Sequence, residues 1–211
     1  MIASTLRPAS TLGPKMEDSA LVARQLGRTP RAFRRVVRRC PFGAPAVTEQ
    51  APYDGTGEPF PTTYYVTCTH LVSAIARLEA AGGVARWSEA AKRDPWLRAS
   101  LERATAEQRA VRLHLAGAGR GRDRGSSLEL GIGGTTRPER LKCLHAHVAF
   151  ALARPGYELG ERILAEVEPA WPPLCCTLAP SDGRARRPDP VQPRARHAAE
   201  RSGVRLGRGI A

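Results

Sequence analysis

Between residues 30 and 70 the apolar positions form short runs rich in β-branched and aromatic residues, whereas from residue 70 to 167 they recur every three or four positions. The first spacing belongs to strands and the second to helices. A strand is expected around Val36 and Val37, a return strand over Ala46 to Gln50, and a third over Phe60 to Thr67, where Tyr64, Tyr65 and Val66 give the strongest β signal in the chain. Pro41-Phe42-Gly43-Ala44-Pro45 and Asp54-Gly55-Thr56-Gly57 supply the turns between them.

The helical spacing appears first in a short run from Ala20, which a Thr29-Pro30 break ends. After Cys68, the side chains of Leu71, Ile75 and Leu78 share a face, Thr67 or Thr69 caps the start, and Gly82-Gly83 supplies the stop. Asp94-Pro95 joins an N-cap to a proline at the first helical position, opening a helix through Leu97, Leu101, Ala104 and Val111 to about Leu115. Pro138 is expected to open another helix through Leu141, Leu144, Val148 and Leu152, and Glu158 to about Val167 reads as a shorter one. The pattern implies an α+β fold, a small N-terminal antiparallel sheet of about three strands packed with about four helices.

Composition sets the limits of that domain. Residues 1–18 are rich in Ser, Pro and Gly and read as a disordered extension. Residues 19–180 read as a single globular domain, long enough to bury a core without disulfides. Within it, residues 116–136, with their GAGRGRDRG run, read as a flexible loop, and residues 181–211 as a disordered Arg/Pro-rich tail. The net charge of +13 sits at the ends. Residues 1–39 hold nine Arg or Lys against two acids, residues 181–211 eight against three, and the long middle segment is left at +1. Of the 33 basic residues all but Lys15, Lys92 and Lys142 are arginine. Arg-rich tails would contact nucleic acid non-specifically at low salt. No stretch is apolar enough for a secretory leader or a membrane span, which implies a cytoplasmic protein whose five cysteines are thiols or ligands.

Several short motifs recur in a recognisable order. Arg39-Cys40-Pro41-x-Gly43-x-Pro45, then Phe60-Pro61-Thr62-x-Tyr64-Tyr65-x-Thr67-Cys68, then Lys142-Cys143-Leu144-His145, preceded by Gln25-Leu26-Gly27-Arg28-x-Pro30-Arg31, resemble an actinobacterial family known as domain of unknown function 501, over about residues 21–176. The resemblance implies no particular activity.

Each of the three cysteine-bearing motifs brings one thiol. Cys40, Cys68 and Cys143, with His145 beside the last, are the ligand types of tetrahedral zinc, and three thiolates would hold an iron–sulfur cluster. The spacing is not that of a paired knuckle, and free cysteine is among the most buried residue types, so core packing is the alternative. On a regular helix Cys143 shares a face with His147 and not with His145, whose position continues the apolar stripe of a core histidine. Cys68 lies where strand gives way to helix, and a helix N-terminus favours thiolate, with His70 two residues on as a base. Cys175-Cys176 would form a vicinal disulfide, bind metal or pack beneath Trp171, and the arginines from Arg31 to Arg39 read as a solvated strand face. The leading expectation is a non-enzymatic or regulatory cytoplasmic domain with a Cys/His metal or cluster site. A thiol-dependent enzyme using Cys68 and His70 ranks second, and a nucleic-acid-binding protein third.

Overall fold

The strands form where the turn residues allow them to pair. In the computed structural model, which describes residues 16–137, 139–167 and 171, β1 (Phe33–Arg39), β2 (Pro45–Gln50) and β3 (Tyr64–Val66) make one antiparallel sheet in the order β1-β2-β3. Gly43 closes the first turn at a φ of +82°, which lets the Cys40 amide donate to the Ala44 carbonyl at 2.9 Å. Three register shifts interrupt the β1–β2 pairing, so β1 does not alternate strictly and its arginines face solvent. Central β2 is buried along its whole length.

β3 is shorter than the expected Phe60–Thr67 run. Pro61 cannot donate to a ladder, and Phe60 is turned to other partners: its amide donates to the Pro52 carbonyl and its carbonyl accepts from Arg112. Pairing therefore starts at Tyr64, whose cross-strand partner is Glu49 and, beyond it, Arg35.

Six α-helices are present among the described residues: α1 (Met16–Leu26), α2 (Thr69–Ala80), α3 (Gly83–Arg93), α4 (Pro95–Ala116), α5 (Leu144–Ala153) and α6 (Glu158–Glu166). The α+β class stands. Met16, Glu17 and Asp18 belong to α1 and not to a disordered extension; Asp18 accepts both oxygens' worth of hydrogen bonds from Arg39, at 2.9 and 2.8 Å. Helix α3 is an addition to the expected set. Gly82, left-handed at φ +81°, ends α2 and caps α3 at once, so the glycine pair is a corner and not only a stop. Asp94 caps α4 as expected, accepting from the amides of Trp96 and Leu97.

Residues 116–136, expected to be a flexible loop, are pinned. A 3₁₀ turn spans Ser126–Glu129, Leu128 and Ile132 are buried, and Asp123 accepts from the amides of Gly125 and Ser127. Those contacts hold its carboxylate at a pKa of about 2, the hydrogen bonds outweighing the cost of its burial. The reason the sequence hides this is that the segment's own Asp123 is joined by a side chain from elsewhere in the chain, Arg112, which donates to the Ser127 carbonyl.

Helix α5 is the centre of the core. Seven of its ten residues are buried, and it packs on β3, α2 and α6. Tyr64 meets Phe150 edge-on at 5.5 Å, and Phe150 meets Tyr157 the same way. The helix starts at Leu144 and not near Pro138; Leu141 is buried but lies ahead of it.

Candidate functional site

Helix α5 begins abruptly because its first amide, that of Leu144, finds a partner in another helix. Cys143 is extended (φ −155°, ψ 147°), and the Leu144 amide donates to Glu79 Oε1 of α2. Glu79 thus caps α5 from outside. The His145 ring continues the same joint, with Nδ1 3.2 Å from Glu79 Oε1 and Nε2 3.1 Å from the Val72 carbonyl. Both ring nitrogens face acceptors on α2, so the imidazole spans the two helices. Glu79 was not singled out from the sequence. A signal existed: an acid in the last turn of a helix opposes the dipole and calls for a partner elsewhere.

Cys143 lies beside this joint, half-buried. Burial pushes its thiol pKa up, Glu79 adds to the rise, and the amides of Ala146 and His145 with Lys142 pull the other way less strongly. Because Cys143 precedes the helix, its angular relation to His145 and His147 is not that of a helical wheel.

The other predicted residues lie apart. Cys40 is buried in the β1–β2 turn, and Cys68 is buried at the start of α2, 1% exposed, as part of the core cluster. His70 is half-buried in the first turn of α2. Among the described residues no three Cys, His, Asp or Glu side chains gather into a group able to hold a metal ion, so Cys40, Cys68, Cys143 and His145 do not converge on one centre. Chain topology explains this: Cys40 belongs to a hairpin turn, Cys68 and Cys143 to the starts of two different helices. Cys175 and Cys176 lie outside the described residues.

The core histidine is His147, not His145. It is fully buried, and its Nδ1 is 2.7 Å from the Tyr157 hydroxyl. Burial lowers its pKa to about 3 and raises that of Tyr157. The pair is therefore neutral across the ordinary pH range. Gly160 makes the approach feasible, since a Cβ there would stand 2.5 Å from the Tyr157 ring and 2.7 Å from the His147 carbonyl.

Next to the α2–α5 joint lies a groove of about 410 Å³ between α3 and residues 140–141. Val84, Ala85 and Leu141 give it apolar walls, and Ser88, Lys92 and Arg140 its polar rim. Gly83 ties groove to joint: its Cα approaches so closely that an added Cβ would meet the Leu78 carbonyl at 2.6 Å and Leu144 at 3.0 Å. The rim is cationic, because its one carboxylate, Glu89, is bound to Lys92 at 2.5 Å, and among the described residues no acid pairs with Arg140.

Among the described residues no helix is long and apolar enough to cross a membrane. Neither a curated protein nor a solved structure matches the chain. Residues 36–165, spanning the sheet from the middle of β1 onward and the helices from α2 to the body of α6, match the family described as protein of unknown function (DUF501). That match covers more than half of the sequence, and the chain belongs to the DUF501 family.

Proposed function

We propose that the protein is a non-enzymatic, cytoplasmic ligand-binding domain whose working surface is the groove between α3 and residues 140–141, and that its ligand is a small amphipathic carboxylate. The observation that carries this reading is the groove's composition: an apolar floor of Val84, Ala85 and Leu141 beside Arg140, which no acid among the described residues pairs with, and a partly engaged Lys92. A pocket of this volume takes a small molecule, and apolar walls with a few placed charges are the usual make-up of such sites. The groups able to do covalent chemistry support the same reading. Both nitrogens of His145 are spent on α2, and burial keeps the Cys143 thiol protonated at neutral pH.

Titration of the intact protein with medium-chain carboxylates, followed by amide NMR, tests it, with amines of equal length as controls. The carboxylates should shift the resonances of Ala85, Ser88 and Leu141, and Arg140→Glu with Lys92→Glu should weaken binding by about tenfold or more. Amines binding as well as carboxylates, or shifts confined to other surfaces, would refute the proposal.

A further inference from the structure

A surface helix ordinarily turns charged side chains to solvent on the side opposite the core. Helix α4 does so only in part. Its inner face carries Leu97, Leu101, Ala104, Gln108 and Arg112, all buried. On the opposite side Trp96, Ala99, Arg103, Ala106, Ala110 and Leu113 recur at alternating steps of three and four, a seam about 26 Å long. Trp96 is 74% exposed and Leu113 50%, two of the three large apolar side chains left open to solvent among the described residues. Two large apolar ends joined through alanines make a face that gains from being covered.

The order of residues along the seam indicates what covers it. About a point between Ala104 and Thr105 the six positions exchange in pairs: Trp96 with Leu113, Ala99 with Ala110, and Arg103 with Ala106. A large residue thus answers a large one, a small residue a small one, and Arg103 meets an alanine that leaves room for its aliphatic stem. Charge follows the same two-fold. Glu102 and Arg109 flank the seam on one side, and in an antiparallel pair the flanking positions of the two helices meet. Glu102 engages no base among the described residues, and Arg109 uses only its Nε, on the Glu129 carbonyl at 2.8 Å. The geometry points to a homodimer in which α4 packs antiparallel against α4 of a second copy, with Trp96 on Leu113 and Glu102 beside Arg109, each contact made twice. Such self-complementarity is what a two-fold interface requires. One helix a side gives a small contact, so the dimer belongs to the weak, reversible class.

Sedimentation velocity of the full chain in moderate salt, over about 10 μM to 1 mM, tests the pairing in the range where weak complexes form. A monomer–dimer equilibrium is expected. Trp96→Ala and Leu113→Lys should each weaken it by about tenfold or more, whereas Arg98→Ala, exposed on the same helix but off the seam, should leave it unchanged. Glu102→Arg should weaken it as well, and adding Arg109→Glu should restore it. Orientation is read by mixing Ala99→Cys protein with Ala110→Cys protein under mild oxidation. Mass spectrometry should find a peptide linked from position 99 to position 110, and a 99-to-99 link from Ala99→Cys alone would overturn the antiparallel pairing. A chain that stays monomeric at every concentration, or a dimer indifferent to Trp96 and Leu113, would overturn the interface and leave this face to another kind of occupant. Should a seam variant fold poorly, the cysteine crosslink, which alters only alanines, decides.

Discussion

The node around Arg112 and the junction of α5 with α6 each bury a basic side chain completely, and they make it tolerable in opposite ways. Arg112 keeps its charge and surrounds it with carbonyls, Ser127 and Phe60 from two segments that have little regular structure. His147 gives up its charge, and a neutral ring then meets a neutral Tyr157 among Phe150 and Tyr64. The difference follows from intrinsic basicity: a guanidinium cannot shed its proton at the cost burial imposes, whereas an imidazole can. One region is therefore organised around a charge and the other around its removal. Sensitivity to mutation should be greatest in the first, and sensitivity to pH in the second.

The largest effect is expected for Arg112→Met, which matches the length of the side chain but strands the carbonyls of Ser127 and Phe60 in the interior. Leaving buried groups without partners costs about 1–3 kcal/mol each, so a loss of about 3–5 kcal/mol is expected from the denaturation midpoint. A loss under about 1 kcal/mol would show that the two segments hold together without the arginine.

The His147 junction should respond to acid. Its folded pKa of about 3 lies below the ordinary 6.5, so protons bind preferentially to the unfolded chain. The stabilisation is complete above about pH 6.5 and is lost as pH falls toward 3, with about 2 kcal/mol already lost at pH 5. His147→Gln, which still offers Tyr157 a partner but does not titrate, should flatten that part of the stability profile. An unchanged slope in the variant would place the titrating group elsewhere.

What the sequence reveals differs between these regions for the same physical reason. Periodicity reports faces, so the sheet, the α2 face of Leu71 and Ile75 and the Asp94-Pro95 start of α4 are all legible, being decided by local residues. Helix α5 is harder: buried on nearly every side, it has no polar face to mark its start, and its N-terminus is set by Glu79 from 65 residues away. The segment 116–136 looks flexible because Gly and Arg dominate it, yet its order comes from Arg112 and from its own Asp123. Cys143 and His145 do stand out as residue types. The use to which they are put depends on α2, which no spacing within Lys142-Cys143-Leu144-His145 encodes.

The α2–α5 joint lies between the two extremes, a half-exposed carboxylate serving a helix end, and the smallest effect is expected there. Glu79→Ala removes the acceptor for the Leu144 amide and one partner of His145, a loss comparable to that of a helix cap, about 1–2 kcal/mol. Its second consequence is more specific. With the first turn of α5 released, Cys143 should become more accessible and alkylate faster, while Cys68, held in the core at the other end of α2, should not change. In the native protein Cys143 should be the first of Cys40, Cys68 and Cys143 to react, and only toward alkaline pH, because its thiol pKa is raised and thiolate is the reactive form. Site-resolved mass spectrometry of alkylation across pH 6 to 10, in wild type and Glu79→Ala, reads all of this at once. Rapid labelling of Cys68 at neutral pH in the folded wild type would instead restore it as a nucleophile at the start of α2, and the non-enzymatic proposal would fall with that result.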